Sequence, residues 1–152
     1  MTEAKTQRPL PKRAQKPAIE VSRDATVLEA AKTMIDNRVG AAVVLDAEGR
    51  PAGIFTERDV VVRVVLEKRD PHTTRVGQVM TSPVMSMPHD GDRTNALRMM
   101  LDKHIRHLPI VDAHGKVVAM LSMRHLLRAQ IEDLEQAVDS LEAYAGADGP
   151  GG

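Results

Sequence analysis

The chain has 152 residues, enough for one compact domain or two small packed modules, and its Lys+Arg and Asp+Glu totals are both 21. That balance predicts no polyanion partner, the absence of Cys excludes disulfides, thiolate metal sites and a Cys nucleophile, and no apolar run approaches the length of a membrane span. A cytoplasmic protein with an aliphatic, Met-filled core is expected, because Phe55 and Tyr144 are the sole aromatics, which also leaves no stacking platform for nucleic acid.

Residues 1–17 are polar and basic, carry three prolines and show no periodicity, so they read as a disordered arm. Residues 19–21 alternate and suggest the start of a strand. Asp24 or Thr26 can cap a helix, and Glu29 three residues after Thr26 completes a capping-box pattern. Leu28, Ala31, Met34 and Ile35 then follow helical spacing to about Asn37. The apolar run 41–45 has the mark of a buried strand, and Gly49 suits the positive φ of the turn that returns the chain as a second strand over 51–55. From Glu57 a helix carries Val60, Val61, Val64, Val65 and Leu66; these are mediocre helix formers, so it must rely on burial.

From Val84 the pattern restarts. A constant shift of 66 maps Asp24 to Asp90, Ala30 to Ala96, Met34 to Met100, Ile35 to Leu101, Asp46 to Asp112, Gly49 to Gly115 and Thr56 to Ser122. Each unit reads strand-helix-strand-strand-helix, and one such unit alone would expose a sheet face. An α/β (α+β) fold of two repeats packed sheet to sheet is therefore expected, with repeat one over 18–81 and repeat two over 82–129. Beyond it Leu127, Ile131, Leu134, Val138 and Leu141 step by four, three, four and three, a heptad seam on a helical extension over 130–145. That seam either packs on its own domain or faces a partner. Residues 146–152 read as a flexible tail.

Three motifs carry a family resemblance: Gly-Ile-Phe-Thr-Glu-Arg-Asp at 53–59, Val-Gly-Gln-Val-Met-Thr at 76–81 and His-Ile-Arg-His-Leu-Pro-Ile-Val-Asp at 104–112. In this order and register the chain resembles a tandem pair of cystathionine β-synthase (CBS) domains, a Bateman module. The resemblance implies two clefts between the repeats that take adenosine-containing ligands such as AMP, ADP, ATP, NAD or S-adenosylmethionine. It also implies a regulatory, non-catalytic role, signalling to a protein target, and pairing into a homodimer.

Thr56 and Asp59 sit astride a strand-to-helix junction, where they can cap the helix or, by the resemblance, hold ribose hydroxyls. Repeat two keeps Ser122 but has His125 in place of the Asp, and a neutral imidazole cannot accept two hydroxyl protons as a carboxylate does. The resemblance further implies ligand contact just before the apolar strands: Arg106 and His107 in repeat two, suited to phosphate, against Gly40 and Ala41 at the matching places of repeat one, which supply no charge; Val39 and Gly40 are the contacts expected there. Ribose and phosphate chemistry are thus divided between the repeats. Of the six His, His104 and His107 are three apart but fall at a helix end and a strand entry with no carboxylate pair in helical register, and no nucleophile elbow, P-loop or dinucleotide fingerprint occurs, so no catalytic residue, metal or required cofactor is expected.

Overall fold

Thr26 starts the first helix as its spacing to Glu29 predicts. Its Oγ1 accepts the Glu29 N–H at 3.1 Å, and Glu29 Oε2 accepts the Thr26 N–H at 2.9 Å. The computed structural model describes residues 8–147; the expectations for residues 1–7 and for the tail from Asp148 lie outside the described residues. The helix, α1 (Val27–Asp36), buries Val27, Ala30 and Met34. Met34 is buried as expected, but Val27 and Ala30 take the places expected of Leu28 and Ala31, and Leu28 and Ile35 point outward, Ile35 with 72% of its surface exposed. The run has enough apolar residues to feed two adjacent stripes, and the cap at Thr26 aligns the one beginning at Val27.

The offset of 66 residues holds element by element. Strands β2 (Ala41–Leu45) and β3 (Pro51–Thr56) form an antiparallel hairpin. Their counterparts are β5 (His107–Val111) and β6 (Val117–Ser122), and α4 (Arg93–Asp102) matches α1. Arg38 and His104 end the two helices in the left-handed region, φ 55° and 54°, and Gly49 and Gly115 turn the two hairpins at φ 79°. In each helix end the next N–H reaches back five residues, Val39 to Met34 O and Ile105 to Met100 O, both at 3.0 Å, which satisfies a terminal carbonyl.

The arm expected to be disordered is folded from Arg8 onward. Residues Lys12–Ala14 form a 3₁₀ turn, and β1 (Gln15–Lys16) pairs antiparallel with β6 of the second repeat, Gln15 opposite Leu121. The mirror arrangement occurs in repeat one, where Thr81 exchanges both backbone bonds with Ile54 at 2.8 and 3.0 Å. Each repeat thus receives an edge strand from the segment that precedes the other repeat. Leu10 and Ala14 enter the core, and Arg13 pairs with Glu132 and Asp133, holding the segment against the last helix. Residues 19–21 run beside β2 through two backbone bonds to Val43, and β4 (Met87–Pro88) runs parallel to β5, giving a four-stranded sheet β1-β6-β5-β4 beside the two-stranded β2-β3. Between them α3 (Val76–Val79) buries both its valines.

Two cores lie within the repeats, one around Phe55, Val27 and Met34, the other around Leu108, Leu121 and Met100. A third cluster of Ala41, Val43, Ile54 and Met120 joins sheet to sheet. Alternation along β2 decides the membership: Ala42 and Val44 face their own helices, Ala41 and Val43 face the other repeat. The Val117 N–H donates to Gly49 O at 3.1 Å and ties the two hairpin turns together.

After Thr56 the expected helix forms with a change of winding. Its first turn, α2 (Glu57–Asp59), continues into a π-helical stretch over Val60–Val65, with the Leu66 N–H bonded to Val61 O. Five valines crowd this stretch, and β-branched side chains pack poorly against the preceding turn of a regular α-helix. In repeat two the matching residues include Leu126 and Leu127, and α5 (Met123–Ala147) runs as one regular helix, two residues past its expected end. Leu126 and Ala129 are buried, but the seam residues Leu127, Ile131, Leu134, Val138 and Leu141 are all exposed, so the seam does not pack on its own domain.

Candidate functional site

Each hairpin delivers its polar residues to the same place. The Glu57 N–H bonds Gly40 O at 3.1 Å, and 66 residues later the Met123 N–H bonds Arg106 O at 2.9 Å. The entry to one strand therefore lies beside the start of the helix that follows its hairpin. Because the two sheets pack face to face, these junctions from both repeats meet and leave two clefts that share the wall formed by Gly40, Glu57, Arg106, His107 and Met123.

The first cleft has a volume of about 820 Å³ and is lined by Thr56 and Asp59 from repeat one and by Lys103, His104, Arg106 and His107 from repeat two. It brings together the two groups that the sequence divides between the repeats. Asp59 is 6% exposed. Its Oδ2 accepts the Thr56 N–H at 3.0 Å and the Thr56 hydroxyl at 3.1 Å, while the Asp59 N–H donates to Thr56 Oγ1 at 3.2 Å. Both halves of a cap are therefore present. The other oxygen, Oδ1, accepts the Thr81 hydroxyl at 3.0 Å and lies 3.5 Å from Arg63 Nε. Arg63 also donates to Met80 O at 3.1 Å, so Asp59 is tied to the segment between the repeats by two routes. A ligand hydroxyl that uses Oδ1 must displace Thr81 or Arg63.

The second cleft, about 980 Å³, holds Ser122 and His125 together with Val39 and Gly40. Ser122 Oγ accepts the His125 N–H at 3.2 Å and lies within hydrogen-bond distance of His125 Nδ1, so the cap survives without its carboxylate. Burial holds the His125 imidazole below its ordinary pKa, and Lys16, Arg128 and Arg124 push the same way. Burial also lowers His107, helped by Arg106 and His125 and opposed by Glu57. Both rings are thus disposed to be neutral and leave the fixed positive charge to the arginines. Around the second cleft these are Arg38, Arg106, Arg124 and Arg128, with Lys16.

All seven expected residues line a cleft: Thr56 and Asp59 the first, Ser122 and Val39 the second, and Gly40, Arg106 and His107 both. Gly40 lies in the shared wall, where a Cβ would stand in ordinary contact, 3.4 Å from the Glu57 carboxyl and 3.5 Å from the His107 ring. Thr81, Arg63, Lys103 and Lys16 escaped the sequence reading. Arg63 had a signal, four residues after Asp59 on one helix face. Lys16 had none, because its segment reads as a solvated arm. Among the described residues no group of three or more His, Asp or Glu is placed to hold a metal ion, and no helix is long and apolar enough to cross a membrane.

Comparison with known proteins agrees with this architecture. The CBS domain model matches residues 14–65 and 76–132. An uncharacterized protein of Methanopyrus kandleri is 33% identical over 117 residues, 77% of this chain, and the match spans 60% of that protein's length. The structure of a CBS-domain protein from Burkholderia ambifaria superposes with a TM-score of 0.73 at 32% identity, covering 81% of this chain and 88% of the other. The cytosolic domain of the Mg²⁺ channel MgtE, solved in complex with ATP, gives a TM-score of 0.64 at 26% identity, covering 76% of this chain and 46% of the other.

Proposed function

The chain belongs to the CBS-domain family as a tandem pair, and from that premise we propose that it is a non-catalytic regulatory module of the cytosol that binds an adenosine-containing ligand between its repeats. The observation that carries this reading is the shared first cleft. A buried carboxylate stands at one side, and Arg106, Lys103 and Arg58 stand around it. A carboxylate accepts two hydroxyl protons, which fits a ribose diol, and guanidinium and ammonium groups fit phosphate. AMP, ADP, ATP and NAD satisfy both ends; S-adenosylmethionine satisfies only the first. The ATP held by the MgtE domain supports the same choice. No cofactor is required for this role.

The ligand would act through Asp59. When ribose hydroxyls take Oδ1, the Thr81 hydroxyl loses its acceptor and the 76–82 segment one direct tie to repeat one, while Arg63, which also holds Met80 O, loses its ion-pair partner. A ligand shifts a conformational equilibrium only through its differential affinity for the two states. Here the differential lies in which partner satisfies Asp59. The change in the segment between the repeats then alters a surface read by a protein target. The second cleft lacks the carboxylate, so Ser122, Val39 and Gly40 line a site without a ribose anchor.

Calorimetry on protein freed of bound ligand tests the reading, with AMP, ATP, NAD and S-adenosylmethionine as titrants. Heat with the phosphorylated ligands supports it, and no heat or thermal shift with any of the four overturns it. A second reading, a structural oligomerisation or interaction module with unused clefts, draws on exposed apolar side chains on α1, α4, α5 and the π-helical stretch, among them Ile35, Leu101 and Val65.

A further inference from the structure

The last helix is divided. Up to Asp133 it is held by Leu126 and Ala129 in the core, and by Arg13 and Arg93, both of which pair with Asp133. From residue 134 to 146 every side chain is exposed. Thirteen helical residues extend about 20 Å at 1.5 Å each, and an isolated helix shorter than about 12–15 residues is marginal in water. Yet this stretch keeps an apolar stripe of Leu134, Val138 and Leu141 in line with Leu127 and Ile131 at the base. The charges are sorted along the same helix. The base carries Arg124 and Arg128, and its two acids, Glu132 and Asp133, are paired with Arg13 and Arg93; the exposed stretch carries Glu135, Asp139 and Glu142 and no basic residue.

We propose that residues 127–145 pair antiparallel with the same residues of a second copy of the chain, the acidic tip of each helix lying against Arg128 of the other. The register follows from the seam. With Leu127 opposite Ala145, Ile131 opposite Leu141 and Leu134 opposite Val138, six apolar layers close. The residues flanking the seam on one side are Arg128, Glu135 and Glu142. In this arrangement Arg128 of each copy meets Glu142 of the other at both ends, while Glu135 meets its own equivalent at the centre: two attractions against one repulsion. A parallel pair sets Glu135 beside Gln130 and Glu142 beside Ala137, gains no ion pair, and brings two triply acidic tips together. Among the described residues, the side chains of Arg128 and Glu142 make no ion pair or hydrogen bond within their own chain, and Glu132, the acid nearest in register to Arg128, is taken by Arg13. Leu127, Arg128 and Ile131 also border the second cleft beside Ile35. The partner's tip therefore lies at the mouth of that cleft and limits what enters it. This pairing does not depend on which ligand, if any, the first cleft binds.

Sedimentation velocity on the full chain, without nucleotide, tests the pairing and keeps its failure separate from failure of the ligand reading. The wild-type chain is expected to dimerise, and Leu134→Asp to be monomeric with an unchanged circular dichroism melt of the core. Glu142→Arg or Arg128→Glu alone should weaken the dimer about tenfold, since each reversal spoils two symmetric contacts, and the double reversal should restore it. The chain has no Cys, so orientation can be read directly: Leu127→Cys combined with Ala145→Cys should cross-link under mild oxidation, and Leu127→Cys alone should not. A monomeric wild type, a dimer indifferent to Leu134→Asp and Glu142→Arg, or self-linking of Leu127→Cys alone overturns the proposal.

Discussion

Removing the Asp59 carboxylate separates the two jobs that its position allows. In Asp59→Ala the Thr56 N–H, the Thr56 hydroxyl and the Thr81 hydroxyl all lose an acceptor, and Arg63 loses its ion-pair partner. Loss of a helix cap costs about 1 kcal/mol. Leaving partly buried donors unpaired adds about 1–2 kcal/mol, at the lower end because Thr56 and Thr81 are only half-buried and water reaches them. Arg63, with 43% of its side chain exposed, keeps its solvation and adds little. The sum is about 2–3 kcal/mol, or about 5–10 °C in the melting temperature of a chain this size. This exceeds a bare cap, because the structure adds Thr81 and Arg63 to Asp59's partners. For ligand binding, a lost charge-assisted contact is worth about 1.5–3 kcal/mol, which is roughly 10- to 150-fold in Kd. Urea unfolding gives the first quantity and calorimetry with AMP the second. A variant that loses 2–3 kcal/mol of stability but binds AMP with an unchanged Kd would refute the ribose role and leave Asp59 a structural cap.

The competition at Oδ1 makes a prediction of opposite sign: Thr81→Val removes the internal donor, so it should lower stability by about 1 kcal/mol and tighten AMP binding several-fold in the same calorimetric assay. His125→Asp rebuilds in repeat two the pattern of repeat one, and should raise the number of nucleotides bound per chain from one to two. Leu10→Ala should cost about 2–3 kcal/mol in urea unfolding, because Leu10 is 5% exposed in the second core; a neutral result would return residues 8–17 to a solvated arm. His107 and His125 have folded pKa values below their unfolded ones, so the unfolded chain binds more protons and stability falls as pH drops through about 6.5 toward the folded values. His107→Gln should flatten part of that fall in melts between pH 7.5 and 5.5. Asp92 and Asp112, lowered mainly by backbone N–H bonds, and Asp133, lowered by Arg13 and Arg93, act in a separate window, losing their contribution only below the ordinary carboxylate range.

Much of this architecture is legible in the residues because its determinants are local. The Thr26–Glu29 box, the glycines at 49 and 115 and the apolar runs at 41–45 and 108–111 each act within a few residues, and the offset of 66 carries the reading of one unit onto the other. What escaped is set at long range. Gln15 becomes a strand only because the edge of β6, more than 100 residues later, lacks backbone partners, and backbone pairing leaves little trace in composition. The offset does carry a hint, since it places Thr81, the matching edge residue of repeat one, on Gln15. The phase of α1 turned on which of two adjacent apolar stripes the cap selects, and the π winding after Asp59 on five valines crowded into one stretch. At the clefts, the identity of Asp59 as a polar anchor was readable, but its occupation by Thr81 and Arg63 was not. Thr81 reaches it only because the segment between repeats folds back along β3.

Titration of AMP into ligand-stripped wild-type chain, with Asp59→Ala alongside, decides whether the Asp59 carboxylate anchors a nucleotide. Saturable heat at one AMP per chain is expected for the wild type, and a loss of that heat, or a Kd weakened at least tenfold, for the variant. Absence of heat in the wild type, or equal binding by both proteins, would contradict it.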